Sequence, residues 1–312
     1  MIIISIFYLS FNIMPEIVEV RRYADFLIKY FKNNELVNVK ILKGRYKKHK
    51  PFDGYYKLVN SLPTKVIDVK TKGKFIYLIL DNDMIIFNTL GLSGGWLYSE
   101  TKEDYKHPTV HEFLNKNDVD TYRETATKHL NIMFELEKGF LYYFDILSYG
   151  TIKVATKEDL EIKLNKIGPD FLDTDTTLEL FIERIKKAKN MDKMIGNVLM
   201  NQKIVSGVGN YLRADTLWLA KISPHRHVKS LNELELKKIF NSIRSLVWSD
   251  YNYKKGIKLG IIKKGFKTSQ DYGRDFFIYY YEDDIYGNKV KKEEMYEGSQ
   301  KRFIYWCPSV QK

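Results

Sequence analysis

The sequence predicts an α+β protein, with an N-terminal antiparallel β-sandwich flanked by helices, then a helical half that ends in a β-hairpin. Before Gly150, apolar residues alternate at period two in pairs of runs around short polar turns; after it, the period lengthens to that of helices. Size and composition agree: 312 residues, 44% of them hydrophobic and 14% aromatic, suffice for two domains with separate cores and exclude a disordered chain.

Residues 1–13 are apolar but too short to span a bilayer, and they lack a basic flank and a small-residue cleavage pattern. They read as an extension upstream of the true start at Met14; a weak signal or anchor segment and a genuine N-terminal strand are the other readings. From Pro15 the pattern is helical, with Val20, Ala24, Leu27, Ile28 and Phe31 on one face and proline in the first turn, where its missing N–H costs nothing. Leu36–Leu42 alternates as a strand. Lys74–Leu80 and Met84–Asn88 flank the turn Asp81-Asn82-Asp83, and Asn131–Leu136 and Phe140–Phe144 flank Glu137-Lys138-Gly139, so hairpins follow one another as in a sandwich or barrel.

Helical spacing then marks Lys157–Lys166, Thr177–Ala188, Met191–Asn201, Tyr211–Ala220 and Leu231–Trp248. Gly168-Pro169-Asp170 through Thr176 is the expected hinge. A last hairpin is expected from Phe276–Tyr281, a turn at Gly287-Asn288-Lys289-Val290, and Phe303–Trp306. The stretch Ser249–Arg274 carries no interpretable pattern.

Lys and Arg outnumber Asp and Glu by 51 to 39, a net charge of +12, which points to a polyanionic partner such as nucleic acid, although a merely soluble basic protein has the same composition. Cys307 is the single cysteine, so intramolecular disulfides are excluded, a zinc site would have to draw on six scattered histidines, and a reducing, intracellular compartment fits. His225 and His227 have no further ligands at metal spacing and are expected on the basic surface.

Two constellations bear chemistry. If Met14 is removed, the Pro15 nitrogen becomes a secondary amine with a pKa of about 8, neutral often enough to attack an aldehyde-like sugar carbon and form an iminium. Glu16 is placed beside it as an acid and base. The same two residues also make an ordinary helix start, because proline and an acid both suit a first turn. The second is Gln202 to Asp215, where Gly207-Val208-Gly209-Asn210 enters a helix and offers backbone N–H groups to a phosphate.

Pro15-Glu16 with Glu19, Lys74 in Thr71-Lys72-Gly73-Lys74, Gly91-Leu92-Ser93-Gly94, Ile167-Gly168-Pro169-Asp170, Gln202–Asp215 and Ile222-Ser223-Pro224 occur in one order, and together the chain resembles the Fpg/Nei family of DNA glycosylases. Its end, Gly287–Val290 to Arg302 to Tyr305-Trp306-Cys307-Pro308-Ser309-Val310-Gln311, is similar to the zincless finger of the Nei-like branch. The resemblance implies a bifunctional DNA glycosylase/AP lyase of base excision repair that removes oxidised bases, pyrimidines above all, and nicks by β,δ-elimination.

It further implies catalytic roles for Pro15 as nucleophile, Glu16 as acid/base and Lys74 as a phosphate-holding residue, with Glu19 in support. Asn210 and Arg302 would grip the DNA backbone, and Leu92, Leu147 and Tyr149 would fill the void left by a flipped nucleotide. Leu147 stands where the family commonly has arginine and Tyr149 where it has phenylalanine, which implies weaker reading of the opposite base; core packing is the competing reading for Leu92 and Leu147. Cys307 falls on one zinc-ligand position, but Val310 stands where its pair would be. One thiolate cannot hold a structural zinc. No metal and no cofactor are expected, the hairpin being fixed by Tyr279, Tyr281, Tyr305 and Trp306 around a buried thiol.

The implied organisation is a catalytic β-sandwich domain over 14–166, a hinge over 167–176, and a helix-two-turn-helix domain over 177–312 whose finger occupies roughly 272–312. The expected partner is damaged DNA, duplex or single-stranded, bound by a monomer in the cleft between domains, with no membrane association. A non-catalytic, structure-specific DNA-binding protein is the alternative if Pro15 is not N-terminal, and an RNA-binding protein is a third.

Overall fold

The computed structural model describes residues 15–32, 34–108, 116–258, 260–297 and 300–312. The reading of residues 1–13 and Met14 lies outside them. Two compact units are present, Pro15 with Glu19–Asn165 in one and Glu16–Val18 with Lys166–Lys312 in the other.

In the first unit, α1 (Ile17–Phe31) presents Val20, Ala24, Leu27 and Phe31 to the core as their spacing predicts; Leu27 and Phe31 are wholly buried, each contributing about 2 kcal/mol. Nine strands follow: β1 (Glu35–Ile41), β2 (Thr64–Lys72), β3 (Phe75–Leu80), β4 (Ile85–Thr89), β5 (Gly94–Ser99), β6 (Tyr105–Lys106), β7 (Leu130–Leu136), β8 (Phe140–Asp145) and β9 (Thr151–Ala155). Their order is β6-β5-β8-β7-β1-β2-β3-β4-β9, every pair antiparallel. The β1–β2 link consists of Glu35 opposite Lys65 and Leu36 opposite Thr64, and the sheet folds over there. Leu36, Val39, Trp96, Ile132 and Phe134 from one half then share a core with Val66, Ile76, Leu78 and Ile86 from the other, which is the expected sandwich. The expected hairpins at Asp81–Asp83 and Glu137–Gly139 are both present. Three helices complete the unit before β9, α2 (Arg45–Lys48), α3 (Tyr55–Val59) and α4 (Lys116–Lys128), and α5 (Lys157–Lys166) follows it.

The second unit holds α6 (Leu178–Ile185), α7 (Ile195–Val198), α8 (Asn210–Ala220), α9 (Glu233–Lys258) and a hairpin of β10 (Lys291–Glu297) and β11 (Gln300–Trp306). Three expectations need correcting. The helix expected over Met191–Asn201 is only α7, flanked by turns; α9 runs ten residues beyond Trp248, into the stretch without a readable pattern.

Phe276–Tyr281 is not a strand. The N–H groups of Phe277 and Ile278 go to the Asp215 carboxylate at 3.0 and 3.1 Å, so no ladder forms, and the hairpin is built from β10 and β11. The Gly287 turn exists, but it is wound around Asp284, whose carboxylate accepts from the N–H groups of Tyr286 and Asn288 and from the Trp218 indole.

No helix among the described residues is long and apolar enough to cross a membrane.

Candidate active site and nucleic-acid-binding residues

In the second unit, Glu16 is 1% exposed, and its carboxylate caps α8: Oε2 accepts from the Gly209 N–H at 2.6 Å and the Leu212 N–H at 3.4 Å, and Oε1 accepts from the Tyr211 N–H at 3.0 Å. Orphan N–H groups and the positive end of the helix dipole both stabilise an anion there. Gly207, at φ +84°, donates its N–H to Gln202 Oε1, its carbonyl accepts from the Ile17 N–H, and a Cβ on it would lie 2.5 Å from Ile17 Cβ. The glycine turn is therefore a close seat for the start of α1. Of the N–H groups expected to meet a phosphate, those of Gly207, Gly209, Tyr211 and Leu212 are taken by Gln202 and Glu16.

Asn210 is half-buried at the first position of α8. Its Oδ1 accepts from Arg213 Nη2 at 3.2 Å, and the same nitrogen donates to the Phe303 carbonyl of β11 at 2.7 Å. Arg213 Nη1 donates to the Gly196 carbonyl. Arg213 is wholly buried, and burial, with Arg302 close by, lowers its pKa to about 10. Asn210 and Arg302 are thus brought to one locality by a residue that sequence reading missed; the available signal was an arginine three positions after Asn210, one turn along the same face.

The aromatic fixing of the hairpin is divided. Tyr279 meets Tyr305 edge-on, with centroids 5.0 Å apart. Trp306 instead donates to Glu293, which also pairs with His225, so His225 is half-buried and engaged rather than on an open basic surface. Tyr281 lies under Arg274. Cys307 is a buried free thiol within a C-terminal turn; Gln311 accepts the Cys307 N–H and donates to the Ile222 carbonyl, docking the chain end on α8's exit.

In the first unit, Glu19 is 3% exposed on α1. Lys74 is half-buried in the two-residue turn joining β2 and β3, where Gly73 takes φ +57°. Arg21 of α1 donates to Thr71 Oγ1 at 3.0 Å and so ties the helix that begins after Pro15 to the base of that hairpin.

The three expected void-filling residues lie on two adjoining loops. A Cβ on Gly91 would fall 2.5 Å from the Gly150 nitrogen, so the Leu92 loop and the Leu147–Tyr149 loop meet backbone to backbone. Leu147 is 51% and Tyr149 64% exposed, which excludes core packing for Leu147, while Leu92 is half-buried. Both loops are held by Ser93, Asp145 and Arg45, to none of which the sequence assigns a role. Burial raises the pKa of Asp145 against the pull of these hydrogen bonds.

No group of three or more His, Cys, Asp or Glu able to hold a metal occurs among the described residues.

The antiparallel sheet, the helix capped by Glu16 and the closing hairpin are those of a DNA-glycosylase fold, as comparison with known proteins shows. Residues 14–152 match the formamidopyrimidine-DNA glycosylase N-terminal domain, and residues 167–259 match the formamidopyrimidine-DNA glycosylase H2TH domain. The chain belongs to the Fpg/Nei family of DNA glycosylases. It is 27% identical over 241 residues to "Endonuclease 8" of Pectobacterium carotovorum, covering 77% of this chain and 80% of that one. It is 24% identical over 306 residues to "Endonuclease 8" of Escherichia coli, covering 96% and 100%. To "Formamidopyrimidine-DNA glycosylase" of Oceanobacillus iheyensis it is 27% identical, covering 72% of each. Among solved structures, the Lactococcus lactis Fpg complex with an abasic site containing DNA superposes with a TM-score of 0.69 at 21% identity, covering 95% of this chain and 99% of that one.

Proposed function

We propose that this protein is a bifunctional DNA glycosylase/AP lyase that removes oxidised bases from DNA, with Pro15 as nucleophile once the residues before it are gone. The relatives named endonuclease 8 and formamidopyrimidine-DNA glycosylase support the activity, and the Lactococcus complexes with damaged DNA support the partner. The family match beginning at residue 14 supports a working chain that starts at Pro15. One observation carries the chemistry: the residue after Pro15 is a buried carboxylate held by three backbone N–H groups.

In this mechanism the Pro15 lone pair attacks C1′ of the extruded nucleotide, and the C1′–N bond breaks with its electron pair leaving on the base. The proton shed by the Pro15 nitrogen passes through Glu16 to the ring oxygen, whose bond to C1′ then breaks to give the iminium. Loss of a C2′ proton then breaks the 3′ C–O bond, and a further elimination breaks the 5′ C–O bond. Glu16, held by three backbone N–H groups, is the acid/base partner of Pro15, passing a proton to the departing oxygen and taking protons back in the elimination steps. Lys74, Asn210 and Arg302 supply phosphate contacts, and Leu92, Leu147 and Tyr149 fill the vacated stack. An apolar Leu147 cannot read a hydrogen-bonding base edge, so weak opposite-base preference belongs to this reading.

Borohydride trapping on abasic-site DNA tests it. Protein beginning at Pro15 should become covalently attached, and protein retaining residues 1–14 should not. A Pro15-initiated protein that binds abasic duplex but is never trapped is a non-catalytic DNA-binding protein.

A further inference from the structure

We propose that Ser93, Asp145 and Arg45 form a clasp that makes the void-filling side chains one rigid unit, required to open duplex DNA and dispensable on single strands. The proposal rests on the glycosylase reading above. Leu92 precedes β5, whereas Leu147 and Tyr149 lie between β8 and β9; the two strands pair as far as Gly94 opposite Asp145, and beyond that pair the loops leave the ladder.

Ser93 joins them. It is buried, and its hydroxyl donates to Asp145 Oδ1 at 3.0 Å while accepting the Leu147 N–H at 2.8 Å. One hydroxyl therefore connects a residue adjacent to Leu92 with the backbone of Leu147 itself. Asp145 closes the loop over itself, accepting the Ser148 N–H at 3.1 Å and the Gly150 N–H at 2.7 Å. From α2, Arg45 donates to the carbonyls of Ser148 and Gly150.

The N–H groups of Leu147, Ser148 and Gly150 and the carbonyls of Ser148 and Gly150 are all directed inward, and Leu147 and Tyr149 are left facing solvent. Ser148 sits at φ +60°, a conformation that non-glycine residues seldom adopt, and the surrounding bonds hold it there. An untethered loop would lower its free energy by turning two exposed apolar side chains inward. Held outward and mutually fixed, they can enter a base stack as one wedge. Prying a stack apart costs free energy at each step, a cost that an unpaired strand does not present.

The test measures strand cleavage at an abasic site in a duplex and in the same oligonucleotide single-stranded, using Pro15-initiated protein. Ser93→Ala and Arg45→Met should each slow duplex cleavage about ten-fold while changing single-strand cleavage less than about two-fold. Ser93→Thr, which keeps the hydroxyl, should restore most of the duplex rate. Equal loss on both substrates, undiminished duplex cleavage, or a Ser93→Thr variant as slow as Ser93→Ala would each overturn the clasp. If the unaltered protein cleaves neither substrate, the glycosylase reading fails and the clasp with it; if it cleaves both and the variants match it, the clasp alone fails.

Discussion

Arg213 donates a hydrogen bond to the main-chain carbonyl of Phe303 at 2.7 Å, joining the helix that begins with Asn210 to the strand that carries Arg302. Two residues proposed to grip DNA are thus anchored to one buried guanidinium. Lysine lacks the planar fork that meets Gly196, Asn210 and Phe303 together. Arg213→Lys should lose about 2–3 kcal/mol of stability in urea denaturation, and duplex binding should weaken at temperatures where the variant is still folded. Unchanged binding by a fully folded Arg213→Lys protein would mean that the hairpin is placed by other contacts.

Phosphate contacts should be visible in salt dependence. Arg302→Ala and Lys74→Ala should each weaken binding to damaged duplex and reduce the slope of log K against log salt by about one. Parallel lines for variant and unaltered protein would remove these residues from the contact set.

The hairpin carrying Lys74 is tied to α1 through Arg21 and Thr71. Thr71→Val removes that acceptor at nearly constant volume and should cost about 1 kcal/mol. Single-turnover cleavage should slow with little change in binding, because the tie serves orientation. A binding defect without a rate defect would contradict it.

Asp215 gives a pH signature. Its burial raises the carboxyl pKa from 3.8 to about 7, so between those values the folded protein holds a proton that the unfolded chain has released. Stability therefore falls as pH rises through that window, by at most about 1.4 kcal/mol per unit. Thermal melts should show this decline, and Asp215→Asn should flatten it. An equally steep decline in the variant would assign it to other groups.

Much of this molecule is legible in its sequence, and the failures share a cause. The core face of α1 and the hairpins around Asp81–Asp83 and Glu137–Gly139 follow from apolar period and turn chemistry, which are local. Phe276–Tyr281 has the composition of a strand, yet its N–H groups bond to Asp215, sixty-two residues away from Phe277. The roles of Arg213, Ser93, Asp145 and Arg45 are not legible in the sequence because a buried polar network is defined by partners remote in sequence, and no spacing rule encodes it. The glycine turn was recognised as an anion seat, but the anion it holds is the protein's own Glu16.

Glu16–Val18 belong to the unit otherwise formed by Lys166–Lys312, and the donors that hold Glu16 come from Gly209, Tyr211 and Leu212. A growing chain that has emerged only as far as β9 therefore has Glu16 without the three N–H groups that hold it. On the proposed reading of Pro15 and Glu16, the site is therefore assembled only after α8 has been synthesised.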